Sequence, residues 1–260
     1  DVCSSDLNYP QMAVINHQLR FNPYIKKIKD LIRNGDLGNI YSVKLNQQGT
    51  GFADSNSPWS WSFNGEEGGG VRLAMASHFT DLIKFWFDSP QIINISGYLN
   101  PVTKKRKDNS GAVQDVKAST ICNAFINFEK ELNVTYSINA GSYTGSRFDI
   151  NIFGTKGELL FTLEDKIELY LRDNIENKQE IVVDGVYPDE AENKASIFSG
   201  SFRYLAPLII NAIKTNDFSS IKDAASFNDA FYNVSLLDAI KQTANNGNIQ
   251  LLGKEINEYV

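Results

Sequence analysis

Histidine and cysteine are scarce, with two of each in 260 residues. Cys3 and Cys122 are too few and too far apart for a disulfide framework or a CxxC metal site. With His17 and His78 they form no zinc-binding pattern, so no metal is expected. No G-x-G-x-x-G fingerprint occurs; Gly49-Thr-Gly51 and Gly68-Gly-Gly70 both fail at the third glycine. A G-x-x-x-x-G-K-[ST] phosphate loop and a G-x-S-x-G nucleophile elbow are also missing. No apolar run reaches the ~18 residues of a membrane-spanning helix. The net charge of −6 argues against nucleic acid or a membrane surface as partner. The acidic, polar opening residues do not read as a signal peptide, and a reducing cytoplasm is the expected compartment. Asn94-Ile-Ser96, Asn133-Val-Thr135 and Asn233-Val-Ser235 match the glycosylation pattern and are read as chance matches.

What the chain does have is an apolar stretch, Gly68–Asp88, introduced by three glycines. Leu73, Met75, Ala76, Phe79, Leu82, Ile83, Phe85, Trp86 and Phe87 predict one long buried helix. His78 and Asp81 interrupt it. A histidine there is either a core residue satisfied by the backbone or a general acid/base. The loop Gln47–Asn64 carries Trp59, Trp61 and Phe63, which suit a plug over the core and a wall of a sugar-sized pocket equally well.

The rest reads as alternating elements. Asn22 and Pro23 start a helix whose apolar face is Ile25, Ile28, Leu31 and Ile32, and Gly35 ends it. Ile40–Gln48 is a strand with Tyr41, Val43 and Leu45 on one face. Further strands are predicted at Ile92–Tyr98, Val116–Phe128, Leu132–Asn139, Arg147–Phe153, Gly157–Leu163, Lys166–Leu171 and Gln179–Val183. Cys122 is expected to be a buried free thiol in one of them. The basic run Lys104–Lys107 reads as a solvated loop. Helices close the chain at Ser199–Thr215, with Pro207 a candidate kink, and Ser226–Asn245, with Gly247 at the stop. Met12–Ile15 has the composition of a strand buried in a parallel sheet that the chain does not otherwise contain. Residues 1–7, DVCSSDL, resemble a translated sequencing adapter and are set apart as non-native. The fold class is α+β, a large, mostly antiparallel open sheet covered by helices on one face.

The stretch NHQLRFNPYIKKIKDLIRNGDLGNIYSV, Asn16–Val43, resembles the domain junction of the glucose–fructose oxidoreductase / inositol dehydrogenase-type (Gfo/Idh/MocA) enzymes. PWSWSFNGEEGGGVRLAMASHFTDLIKFWF, Pro58–Phe87, is similar to the segment that follows there. Phe153-Gly-Thr-Lys-Gly-Glu-Leu159 resembles a glycine turn of that family's sheet, and Ser226–Ile240 its closing helix. The resemblance implies an N-terminal Rossmann domain for NAD or NADP and a C-terminal α/β domain whose open sheet serves homo-oligomerisation. Residues 8–22 would then be a remnant of the dinucleotide-binding domain and 23–260 the substrate and oligomerisation domain. It further implies hydride transfer between the nicotinamide and a sugar, polyol or related compound. The glycine fingerprint and the E-K-P segment with its proton-transfer lysine are not in this chain, so the chain is expected to be inactive alone. By resemblance His78 is the catalytic residue, accepting the substrate's hydroxyl proton. Its partner in the family's D-x-x-x-H pattern is replaced by Ala74. Asn16 and His17 would lie near the nicotinamide, and Trp59, Trp61 and Arg20 near the substrate. The alternative is a non-catalytic, dimerising module that binds a carbohydrate or a partner.

Overall fold

The computed structural model describes residues 13–162, 166–174, 176, 178–186, 197–246 and 250–251. The heptad Asp1–Leu7, Met12, Leu163 and the Gly247 stop lie outside the described residues.

The first helix, α1 (Pro23–Arg33), begins where expected. The Asn22 side chain accepts from Tyr24 N–H, Pro23 fills the first turn, and Gly35 follows at φ +72°. The strands are β1 (Ile40–Gln48), β2 (Ile92–Asn100), β3 (Lys105–Lys107), β4 (Val113–Asp115), β5 (Ile121–Phe128), β6 (Asn133–Asn139), β7 (Arg147–Gly154), β8 (Gly157–Thr162), β9 (Lys166–Leu171), β10 (Gln179–Ile181) and β11 (Gln250–Leu251). Nine of them form one sheet in the order β10-β9-β8-β7-β1-β6-β5-β2-β11. Among the described strand pairs only β1 and β6 run parallel. β1 sits mid-sheet because the chain leaves it for the tryptophan loop and the covering helices before returning at β2.

Strand alternation sets the two faces. Cys122, Ala124, Ile126 and Phe128 of β5 are buried, with Val43 and Leu45 of β1 and Val134, Tyr136 and Ile138 of β6. Phe125 and Tyr98 are exposed on the opposite face, where Asn94, Asn127 and Asn133 form a hydrogen-bonded row across three strands. Cys122 is a free buried thiol, and burial pushes it up to about 12. The covering helices are α2 (Val71–Ala74), α3 (Ala76–Phe87), α4 (Ile197–Thr215) and α5 (Phe227–Asn246).

α5 lies tight on β2. A Cβ at Gly97 would fall 2.4 Å from the Ile240 carbonyl oxygen, a contact that only backbone movement relieves. Gly97→Ala is therefore expected to destabilise the fold by about 1–3 kcal/mol, read as a lowered urea midpoint at unchanged m. A midpoint equal to the unaltered chain's would mean the helix is not seated there.

Six expectations change. The Gly68–Asp88 run is not one helix: Gly69 and Gly70 are wedged against the backbones of Ser62 and Ser119, and the chain pivots at Met75 (φ −115°) between α2 and α3. Tyr41 is 49% exposed although Val43 and Leu45 are buried, because the β1–β7 register shifts between Ile40 and Ser42. Ile15 joins no parallel sheet; it makes one antiparallel bridge to Ala225. In the Lys104–Lys107 run, Arg106 is buried over the Phe63 ring and donates to the carbonyls of Phe52, Asp54 and Ser57, so this charge is structural. Residues 116–120, expected as the start of a strand, are not strand, because the N–H groups of Lys117 and Ala118 both go to Phe63 O and pin the tryptophan loop. Pro207 lies on the exposed side of α4 and does not interrupt it.

Candidate active site

Three short links assemble the site. Ile15 N–H donates to Ala225 O at 2.8 Å, which fastens the start of the described chain beside the start of α5. A 3-10 turn, Gln18–Phe21, follows and is buried throughout. Gln18 Nε2 donates to Phe198 O, and Asn22 Nδ2 donates to Ser201 Oγ, so the turn is also tied to α4. His17 and Arg20 thereby face α3 and α5.

Arg20 is 5% exposed and grips Asp81, 1% exposed, with two bonds: Nε to Oδ2 at 2.8 Å and Nη2 to Oδ1 at 2.6 Å. Asp229 approaches Nη2 at 3.4 Å and is shared with Lys84 at 3.3 Å. Burial pushes the Asp229 carboxyl up, but bonds from Ser226 and the charges of Arg20 and Lys84 win and hold it down at about 2. Arg20 Nη1 reaches the Asp223 carbonyl. The guanidinium, expected at the substrate, is spent inside the protein as an anchor for α3 and α5.

The two histidines meet. Their ring centroids lie 5.3 Å apart at 87°, edge to face, and His78 also packs on Phe198 at 4.8 Å. His17 Nε2 is 3.0 Å from Asn233 Nδ2, and the same Nδ2 is 3.5 Å from Asp81 Oδ1. The Nδ1 atoms of both histidines are buried and have no hydrogen-bond partner among the described residues. Burial, with neighbouring His17 acting in the same sense, lowers the pKa of His78 to about 3. His17 is lowered too, by burial first, with Asp81 opposing. Both rings are therefore neutral at pH 7, each with one ring nitrogen that can accept a proton and one that can donate.

The remaining sequence candidates stand apart from this pair. Asn16 is exposed beside His17. Trp59 is bound to the β3–β4 hairpin, its N–H to Lys107 O at 2.8 Å and its indole to Asp115 O at 3.1 Å. Trp61 is 63% exposed, with its carbonyl against Gly69. Ala74 is exposed and precedes the Met75 pivot, so it and His78 do not share one continuous helix face. Sequence reasoning missed Asn233, Asp229 and Lys84. The available signal was Asn233 interrupting the apolar positions of the last helix; at 2% exposure it is no glycosylation acceptor in the folded chain.

Among the described residues no group of three or more His, Cys, Asp or Glu could hold a metal ion, and no helix is long and apolar enough to cross a membrane.

Residues 29–251 match the family model described as "Oxidoreductase family, C-terminal alpha/beta domain", GFO_IDH_MocA_C. The chain is 22% identical over 258 residues to glucose-fructose oxidoreductase domain-containing protein 1 of Xenopus tropicalis, covering 93% of this chain and 64% of that protein. It is 25% identical over 223 residues to oxidoreductase cns1 of Cordyceps militaris, covering 83% of this chain and 27% of that one. The fold is similar to levoglucosan dehydrogenase solved with NADH and L-sorbose, with TM-score 0.75 and 19% identity over 92% of this chain and 65% of that one. It is similar too to the super-repressor mutant of Gal80p from Saccharomyces cerevisiae, with TM-score 0.72 and 16% identity over 95% of this chain and 65% of that one. The chain thus spans less than two thirds of the length of each of these four proteins.

Proposed function

Because the chain belongs to the Gfo/Idh/MocA oxidoreductase family and corresponds to its C-terminal α/β domain, we propose that it is the substrate-side part of an NAD(P)-dependent dehydrogenase or reductase. The substrate is a sugar, polyol or related compound, and the reaction is hydride transfer. The observation that carries this reading is the pair of neutral imidazoles, buried His17 and half-buried His78, whose Nδ1 atoms are both buried at the junction of the N-terminal turn, α3 and α5. An alcohol that loses hydride must also give up its hydroxyl proton, and the neutral His78 ring is the acceptor. Arg20, Asp81 and Asp229 do not touch substrate; they hold the elements that carry the two rings. The solved levoglucosan dehydrogenase, with its bound NADH and sugar, supports the class of cofactor and substrate.

The residues present do not fit a dinucleotide. The chain has no glycine-rich phosphate turn, and the orphaned ring nitrogens suit one small polar group, not a pyrophosphate. The isolated chain is therefore expected neither to bind the cofactor nor to turn over. Titrating it with NADH and with NADPH, followed by nicotinamide fluorescence, should show no saturation below about 1 mM, weaker than about 4 kcal/mol of binding. A micromolar Kd would overturn this reading.

The polar sheet face bearing Tyr98, Phe125 and the asparagine row is the surface through which copies associate. The location is the cytoplasm, a reading supported by the unpaired Cys122 thiol. One observation favours a second reading, a non-catalytic binding module. Ala74 stands in the aspartate position, and no carboxylate is among the groups that shift His78. The Gal80p super-repressor has the same fold.

A further inference from the structure

Asp81 is the acid partner of a bidentate arginine pair, so both of its oxygens only accept. Its Oδ1 faces the Asn233 amide at 3.5 Å, which turns the amide nitrogen, not the oxygen, toward the carboxylate; the reverse orientation would set oxygen against oxygen. The same nitrogen lies 3.0 Å from His17 Nε2. An amide NH2 has two donors and no acceptor, so Nε2 must offer a lone pair and the ring proton must reside on Nδ1. A charged His17 would press N–H against N–H at Asn233. The ionic groups around the ring, Asp81 from α3, Arg20 from the N-terminal turn and Asp229 from α5, are already paired with one another.

We infer that Asn233 is a positioning residue that fixes His17 as the neutral Nδ1–H tautomer, so that His17 presents a buried N–H donor to a hydroxyl or carbonyl oxygen of the ligand on which His78 acts. This deepens the oxidoreductase reading and rests on it for the identity of the ligand. Among the described residues the Nδ1 atom is buried and unpartnered, as is that of His78 beside it. A buried donor left unpaired is costly, so the site favours an oxygen there. A hydroxyl that accepts from His17 keeps its own proton free for His78. The ligand is thereby selected for oxygen at this position over a second donor such as an ammonium group.

The chain has only these two histidines, which makes the test direct. The 260-residue chain is labelled with 15N-histidine, and long-range proton–nitrogen spectra report the protonation of each ring nitrogen. His78→Phe assigns the two rings. The expected result is a His17 ring with protonated Nδ1 and bare Nε2, unchanged from about pH 8 to about pH 5.5. In Asn233→Asp a carboxylate replaces the donor, and the His17 proton is expected to move to Nε2 or the ring to become charged. In Asn233→Leu two tautomers are expected to coexist. A protonated Nε2 in the unaltered chain overturns the inference, as does an Asn233→Asp protein that is folded by circular dichroism and keeps the original pattern. Where the variants do not fold, the unaltered chain's spectrum alone decides. The readout needs neither cofactor nor turnover. A protonated Nε2 leaves the oxidoreductase reading standing, and tight NADH binding by this chain overturns that reading while leaving the tautomer.

Discussion

Arg20→Ala should lower the folding free energy by on the order of 3–5 kcal/mol, the loss expected when one member of a buried ion pair is removed and the other is left behind. The stranded group is Asp81, which is 1% exposed and loses both bonds from the guanidinium. Asp229 is not stranded, because Lys84 remains 3.3 Å away. The effect is large for a second reason. Arg20 touches α3 through Asp81, α5 through Asp229 and the Asp223 carbonyl ahead of it, so its removal unfastens the turn that carries His17. Replacing both partners with apolar residues, Arg20→Met with Asp81→Leu, should cost far less than the single change, since no charge is then buried alone. Urea denaturation of the two single variants and the double variant closes the cycle. A loss below about 1 kcal/mol for Arg20→Ala would mean that the pair is solvated and behaves as a surface bridge.

The distance between these partners explains what the sequence could disclose. Local patterns were legible. The Asn22–Pro23 start and Gly35 stop of α1 are set by residues within one turn, and the alternation of β5 and β6 reports their own buried face. The open, mostly antiparallel sheet under helices follows from those runs. Features decided by a distant partner were not legible. The break at Met75 depends on glycines pressed against Ser62 and Ser119, which periodicity does not register. Arg106 looked solvated because its three carbonyl acceptors lie 49 to 54 residues earlier. At the site, His78 was legible as a polar interruption of an apolar helix. Arg20 was legible only as a charge; that it belongs to Asp81, 61 residues on, is a tertiary fact. Asn233 sits 216 residues from the ring it holds. An asparagine on an apolar helix face signals a buried polar partner, but nothing in the chain says which.

Lowering the pH from 7 to about 4.5 should cost the fold roughly 2–3 kcal/mol through His78 alone. Its pKa is about 3 in the folded chain against an ordinary value of 6.5. The unfolded chain therefore binds a proton at this residue as the pH drops below 6.5, and the folded chain does not until about 3. Stability from His78 is complete above its unfolded pKa and drains away as the pH falls toward its folded one. His17 is shifted in the same direction and adds to the slope. The window stays clear of Asp229, whose carboxyl moves from 3.8 down to about 2 and whose contribution is lost as the pH falls from 3.8 toward 2. Urea midpoints at pH 7 and about pH 4.5 should therefore fall steeply for the unaltered chain and distinctly less for His78→Phe. The same slope in both would show that the His78 ring is solvated and charged near neutrality. The outcome bears on chemistry as well as folding. In the proposed reaction a ring that resists a proton this strongly takes one from the alcohol only fleetingly, so it must pass it on.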